Sequence, residues 1–282
     1  MLAPAKINLD LLITGRREDG YHLLDSIVVF TDIGDELTAE KSDKLSLVIS
    51  GPYAEDLNDQ NDNLILLAAR QICEYANIPP HIKFHLNKKM PISSGIGGGS
   101  ADAAAALKLC IELFSIKIEP EELNKIALEL GSDVPVCLIN KPVHMTGVGE
   151  KISDFDLIDT LHMVLVNPNI SVSTPMVFDA YQKSNMAFDT ERVFPSGKIH
   201  LTLMLDIIKK SGNSLTEATI SREPGINEVI KLLSKTEDVL IARMSGSGAT
   251  CFALYKSNEC CLKAAQYMIK RKPDWWVDYT RE

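Results

Sequence analysis

The stretch SGIGGGSADAAAALKLC, residues 94–110, constrains this chain more than any other. Glycines allow a backbone to approach a ligand closely and to take positive φ, while alanines are the best helix formers. A helix N-terminus presents unpaired amides and partial positive charge. A glycine loop running into one is therefore an anion site, most often for phosphate. The pattern predicts a loop wrapped round a phosphate, with Ser100 capping a long helix aimed at it. Lys88 and Lys89, just upstream, add charge that favours phosphate. Two phosphate motifs are excluded. GxxxxGK[ST] has no match, because no lysine follows a glycine loop. The dinucleotide pattern GxGxxG is met by Gly95 and Gly97 but has Ser100 in its third place. The plain alternative is a flexible loop before a core helix. A second glycine stretch, MSGSGATCF (244–252), reads as a tight hairpin, or as a second lip of the same pocket.

Charge limits what such a site serves. The formal net charge is −9, so the chain is a poor general binder of nucleic acid or anionic membrane, and local groups must meet any anion. With 282 residues, 45% hydrophobic and 24% charged, it fits one large or two medium globular domains. Lys6 and Asp10 interrupt the first apolar run, unlike a signal peptide. The longest apolar run found, LILLAA (64–69), is far too short to span a bilayer. Six cysteines without CxxC spacing read as buried free thiols of a reducing cytosol.

Apolar periodicity predicts strands at 7–13, 22–30, 45–49 and 81–87, the first two joined by the turn GRREDG. It predicts helices at 63–76, with Asn63 as N-cap, and at 119–131, ended by Gly131. Beyond residue 158 the pattern restarts. A buried strand, HMVLVNP, precedes helices at 174–182, 198–209 and 226–233. The strands VLIARM and TCFALY, a helix at 259–270 and a strand at 275–279 complete it. That order suggests a split βαβ sandwich. The expected domains are 1–157 and 158–282.

Three segments in this order, PAKINL (4–9), PISSGIGGGSADAA (91–104) and MSGSGATCF, resemble the GHMP kinase superfamily over nearly the whole chain. LGSDVPVC (130–137) and the early block ending in DGYH (19–22) bring it nearest the members that act on a cytidine-diphosphate-linked alcohol. The resemblance implies an α/β (α+β) GHMP kinase fold, with an N-terminal domain like domain 2 of ribosomal protein S5 and a C-terminal ferredoxin-like domain. It implies phosphorylation of the 2-hydroxyl of 4-diphosphocytidyl-2-C-methyl-D-erythritol, with ATP and Mg²⁺, in the non-mevalonate isoprenoid pathway. The expected partner is that small-molecule substrate, with no nucleic acid and no membrane. The expected setting is cytoplasmic, as a monomer or weak homodimer.

Residue roles follow from the same resemblance. Lys6 matches a lysine beside the reacting hydroxyl, and Asp133 matches the catalytic base. By residue type alone they read as a solvated charge and a turn aspartate. Asn8 and Thr174 match residues that touch the erythritol or its phosphates, and Thr174 also reads as a helix cap before Pro175. Tyr21 and Phe178 would sandwich the cytosine, and His22 would hydrogen-bond its edge. On the nucleotide side stand Pro91, Gly95, Ile96, Gly97, Gly98, Gly99, Ser100 and Ala101, with Asn63 near adenine. Asp102 reads as a first-turn complement to the helix dipole. Gly99 and Ala101 stand where relatives often carry hydroxyls, which leaves the metal ligands unassigned. A GHMP kinase acting on homoserine, mevalonate or a sugar is the first alternative, and DGYH and Phe178 argue against it. A binding protein without catalysis is the second, and Lys6, Asp133 and the glycine loop argue against it.

Overall fold

A computed structural model describes residues 1–57 and 63–281. In chain order its elements are β1 (Leu2–Asn8), β2 (Leu12–Arg16), β3 (His22–Lys41), β4 (Ser46–Ser50), α1 (Leu64–Tyr75), β5 (Ile82–Asn87), α2 (Gly98–Phe114), α3 (Pro120–Leu130) and α4 (Val134–Ile139). There follow β6 (Val143–Gly147), β7 (Lys151–Asp154), β8 (Asp156–Leu157), β9 (His162–Asn167), α5 (Thr174–Lys183), β10 (Lys198–Ile199), α6 (Leu201–Lys209), α7 (Thr216–Arg222) and α8 (Gly225–Leu233). β11 (Val239–Met244), β12 (Cys251–Tyr255), α9 (Asn258–Arg271) and β13 (Trp276–Tyr279) end the chain. Contacts group these into two compact units. The first holds Met1–Lys6, Gly34–Ile92 and Gly97–Asn140; the second holds Ile7–Ile33, Ser93–Ile96 and Lys141–Glu282. The units interleave along the chain, whereas the expected domains are two sequence segments meeting after residue 157.

In the first unit the later half of β3 pairs antiparallel with β5, which pairs parallel with β4. Alternation in IKFHLN sends Ile82, Phe84 and Leu86 inward. The helix α2 packs on α1 and α4. Its residues from Ala101 to Leu107 are all buried, and four consecutive alanines leave room for that close approach. Asn63 caps α1 as expected, its side chain accepting from the Ile65 amide at 3.0 Å.

In the second unit β2 and β6 pair antiparallel with the early part of β3, and β7 pairs with β6. A separate sheet has the order β11-β12-β9-β13, all neighbours antiparallel. The first strand of that set in the chain, β9, thus lies between the third and the fourth, which is the ferredoxin-like order. Val164, Val166, Cys251, Ala253 and Tyr255 are buried in its core with Val229, Leu233 and Ala265.

Two expectations need correction. The strand predicted at 7–13 is two, because Asp10 is a fully buried carboxylate that interrupts the apolar run and accepts from the Ile27 amide at 2.9 Å. The helix predicted from Lys198 starts at Leu201, since Lys198 and Ile199 pair with Asp156 and Leu157. The short helices α4 and α7 and the β6–β7 pair have too few residues to show a period, and sequence reading missed them. Among the described residues no helix is long and apolar enough to cross a membrane.

Candidate active site

The glycine loop does not start its helix as expected. α2 begins at Gly98, Gly97 is the capping residue, and Ser100 lies inside the first turn. Gly97 is left-handed, with φ 68°, a conformation that strains any residue with a side chain. A Cβ there would also sit 3.2 Å from the Lys6 Cβ. Among the described residues no side chain caps this end, and the Ala101 amide closes the first turn on the Gly97 carbonyl at 2.8 Å. Gly98, Gly99 and Ser100 therefore present backbone amides that no side chain caps, as an anion cradle needs. The upstream lysines do not reinforce it. Lys88 is buried against Asp35 and Asp102, and Lys89 pairs with Glu36 at 2.6 Å. Pro91 is buried where the chain enters the loop.

In the second unit, the segment Ser93–Ile96 lies backbone to backbone on the β11–β12 turn. A Cβ on Gly95 would stand 2.4 Å from the Gly248 carbonyl, and the Thr250 amide donates to the Ser94 carbonyl at 3.0 Å. The two glycine stretches thus meet at Gly95. Ile96 is fully buried.

Lys6 lies at the end of the part of β1 that belongs to the first unit. A buried ammonium needs an anionic partner. Lys6 Nζ has one in Asp133 Oδ2 at 2.7 Å, with the lysine side chain 6% exposed and the aspartate side chain 37%. Asp133 stands at the start of α4, where Pro135 fits the first helical turn. The α2 N-terminus and this pair approach each other through Gly97 and Lys6. Nearby, burial and the Asp133 charge push the Cys137 thiol up to about 12, so it is no competing nucleophile.

Asn8 is buried in the second unit. Its amide donates to Ser245 Oγ at 3.0 Å and its Nδ2 to Ser26 Oγ at 2.8 Å. Among the described residues its Oδ1 is buried without a partner. Thr174 is not the cap of α5. Ser173 holds that position, and the Thr174 hydroxyl instead contacts Ser247 Oγ at 2.6 Å.

The aromatic residues of the second unit meet in an order that sequence did not foresee. His22 stacks on Phe178, with centroids 5.3 Å apart and planes 29° apart, and meets Tyr181 edge-on at 5.7 Å. Tyr21 is 66% exposed, and among the described residues no ring contact joins it to Phe178. Burial, then the nearby Arg16, lowers the His22 pKa, which favours the neutral imidazole.

Sequence reading also missed a sealed cluster in the first unit. Lys88 Nζ meets Asp35 Oδ2 at 2.5 Å and Asp102 Oδ2 at 2.9 Å, with all three side chains buried. Asp35 Oδ1 further accepts from the amides of Lys89 and Met90. Asp102 is thus no first-turn complement to the dipole; it turns inward from α2 to a buried ammonium. Its one available signal was an aspartate within a run of alanines.

Residues 63–141 match the family model for the GHMP kinases N terminal domain, and residues 198–266 match that for GHMP kinases C terminal. A 4-diphosphocytidyl-2-C-methyl-D-erythritol kinase from Paramagnetospirillum magneticum is 42% identical over 275 residues, covering 98% of this chain and 95% of its own. The chain belongs to this family of GHMP kinases. A crystal structure of 4-(cytidine 5'-diphospho)-2C-methyl-D-erythritol kinase matches with a TM-score of 0.80 and 29% identity, over 99% of this chain and 98% of that one. The homoserine kinase from Cytophaga hutchinsonii, at TM-score 0.64 and 21% identity over 99% of this chain and 92% of its own, shares the GHMP kinase fold. Within that fold, the uncapped glycine helix and the Lys6–Asp133 pair fit a nucleotide's phosphates and an acceptor hydroxyl. For a metal the fit is weaker: among the described residues no three His, Cys, Asp or Glu side chains form a cluster that would hold an ion.

Proposed function

We propose that this chain phosphorylates the 2-hydroxyl of 4-diphosphocytidyl-2-C-methyl-D-erythritol with ATP, a step of the non-mevalonate isoprenoid pathway. The observation that carries this reading is the 42% identity, over 98% of the chain, to a kinase named for that substrate. The Lys6–Asp133 pair supplies its chemistry.

ATP, with Mg²⁺ carried on its phosphates, supplies the phosphoryl group. Magnesium commonly binds through substrate phosphates and water with few protein ligands, so no side chain is assigned to it. Asp133 accepts the proton of the substrate hydroxyl at its exposed carboxylate. Lys6 holds the other carboxylate oxygen, orients it, and offsets negative charge as the alkoxide develops. The amides of Gly97, Gly98, Gly99 and Ser100 hold phosphate oxygens without competing side chains, and Ala101 keeps the first turn tight. Pro91 and Asn63 border the adenosine. In the second unit Gly95 and Ile96 set the loop's entry, and Asn8 Oδ1 accepts from the erythritol. Thr174, supported by Ser247, binds its diphosphate. Tyr21 and Phe178 give the cytosine two flat faces. Neutral His22 offers one donor and one acceptor, as a cytosine edge requires. The proposed sequence domains are 1–157 and 158–282. We place the enzyme in the cytoplasm, as a monomer or weak homodimer, on its acidic charge and unpaired thiols.

The test is ADP release from ATP and Mg²⁺ with diphosphocytidyl-methylerythritol, homoserine or mevalonate offered separately. Turnover with the cytidyl substrate alone is expected. Turnover with another acceptor in its place would keep the fold and overturn the cytosine site.

A further inference from the structure

The stretch 184–197, between α5 and β10, contains no helix or strand, yet its contacts are unlike those of an ordinary surface loop. The Asp189 amide donates to the Ile13 carbonyl at 2.8 Å, and Asp189 Oδ2 accepts from the Ile13 amide at 3.2 Å and from Ser214 Oγ at 2.5 Å. Three residues on, Arg192 inserts a guanidinium between two fully buried carboxylates. Its Nε donates to Asp25 Oδ1 at 2.6 Å, its Nη2 to Asp10 Oδ1 at 3.0 Å, and its Nη1 to Asp10 Oδ2. Its own amide donates to Asp25 Oδ2 at 2.8 Å. Phe194 then stacks on His144 with centroids 4.9 Å apart, and His144 itself bonds Asp25.

These anchors have a common target. Ile13 lies in β2, opposite Leu24 of β3, and Asp25 follows three residues after His22 in that strand. They are the base of the hairpin whose tip carries Tyr21 and His22. The other end of the strap leaves α5, which carries Phe178 and Tyr181. Covalently and through Arg192, the strap ties the helix bearing one side of the aromatic group to the hairpin bearing the other.

We infer that Arg192, with Asp189, is a positioning residue that sets the spacing between the Tyr21–His22 hairpin tip and Phe178, and hence the recognition of the cytosine ring. The inference rests on the reading of those three residues as the cytosine site. Arginine suits the task because its rigid planar fork holds Asp10 through two nitrogens and Asp25 through a third in one fixed geometry, whereas a lysine ammonium is a point charge that fixes no plane.

The experiment compares Arg192→Lys and Asp189→Asn with the unaltered enzyme, each shown to be folded by its melting transition. It reads KM for the cytidyl substrate, KM for ATP, kcat, and the His22 ring resonances, which sense the Phe178 ring current. The expected result is at least a tenfold rise in KM for the cytidyl substrate, with KM for ATP and kcat changed less than threefold, and a displaced His22 signal. An equal rise in both KM values would overturn the inference, as would a displaced signal with KM unchanged. If Arg192→Lys does not fold, Asp189→Asn decides alone. Phe178→Ala separates the two readings. No rise in its cytidyl KM refutes the cytosine site and the inference with it. A rise there, with KM and His22 unmoved in the two strap variants, refutes the strap alone.

Discussion

Among the described residues two buried lysines of the first unit meet carboxylates, Lys6 with Asp133 and Lys88 with Asp35 and Asp102, and the two groups differ in one decisive way. In both, a buried ammonium lies within 3 Å of a carboxylate. The Asp133 side chain is 37% exposed, whereas those of Asp35 and Asp102 are closed off at 0% and 6%. A carboxylate that water can reach is one that a substrate hydroxyl can reach. A sealed one exchanges protons only with its neighbours. The sealed group also lies under the glycine helix, for a Cβ on Gly98 would come within 3.2 Å of Lys88 Nζ. Exposure, rather than pairing, therefore separates the group proposed for chemistry from the one that supports the fold, and the contrast can be broken by substitution on either side.

The largest effect is expected at the open pair. Asp133→Asn removes the proposed proton acceptor while keeping size and hydrogen bonding, and turnover should fall by about 10²–10⁴-fold. Nucleotide binding should persist, because the glycine amides are untouched. Steady-state kinetics with a separate ATP-binding titration checks this, and near-normal turnover would sink the role of Asp133. At the sealed group the expected loss is of stability. Lys88→Met leaves two buried carboxylates without a cation and should cost about 3–5 kcal/mol in denaturant unfolding. Adding Asp35→Asn and Asp102→Asn to it should recover much of that loss. Failure to recover would mean that Lys88 acts through something other than these charges.

The same contrast explains what sequence made legible. Local rules reached the periodic elements: α1 with its Asn63 cap, the alternating β5, and the β11–β12 hairpin with its glycine turn. The order of strands and helices after residue 158 pointed to the ferredoxin-like sheet. Resemblance, not residue chemistry, selected Lys6 and Asp133, since a lysine and a turn aspartate 127 positions apart carry no mark of their contact. Lys88 was misread because charge near a glycine loop looks like phosphate recognition until its partner, Asp35 on a distant strand, is seen. Ser100 was misread because a serine before alanines resembles a cap, whereas the left-handed Gly97 already starts the helix. Arg192 and Asp10 were invisible for the same reason as Lys6: a long-range ion pair has no local pattern.

The smallest effect concerns protons in the sealed group. Burial pushes Asp102 up to about 7, against the attraction of Lys88. An acid whose native pKa is raised holds a proton that the unfolded chain, with its pKa of about 3.9, has already released. Between those values the native state binds more protons, so stability falls as pH rises from about 4 to about 7 and levels off above. Asp102→Asn removes that titration. Relative to the unaltered enzyme, the variant should gain about 2–3 kcal/mol between pH 5 and pH 8. Denaturant unfolding at the two pH values reads the difference directly. A difference constant with pH would mean that Asp102 is ionised throughout, with Lys88 alone compensating both carboxylates, and the two lysine groups would then differ in access but not in proton affinity.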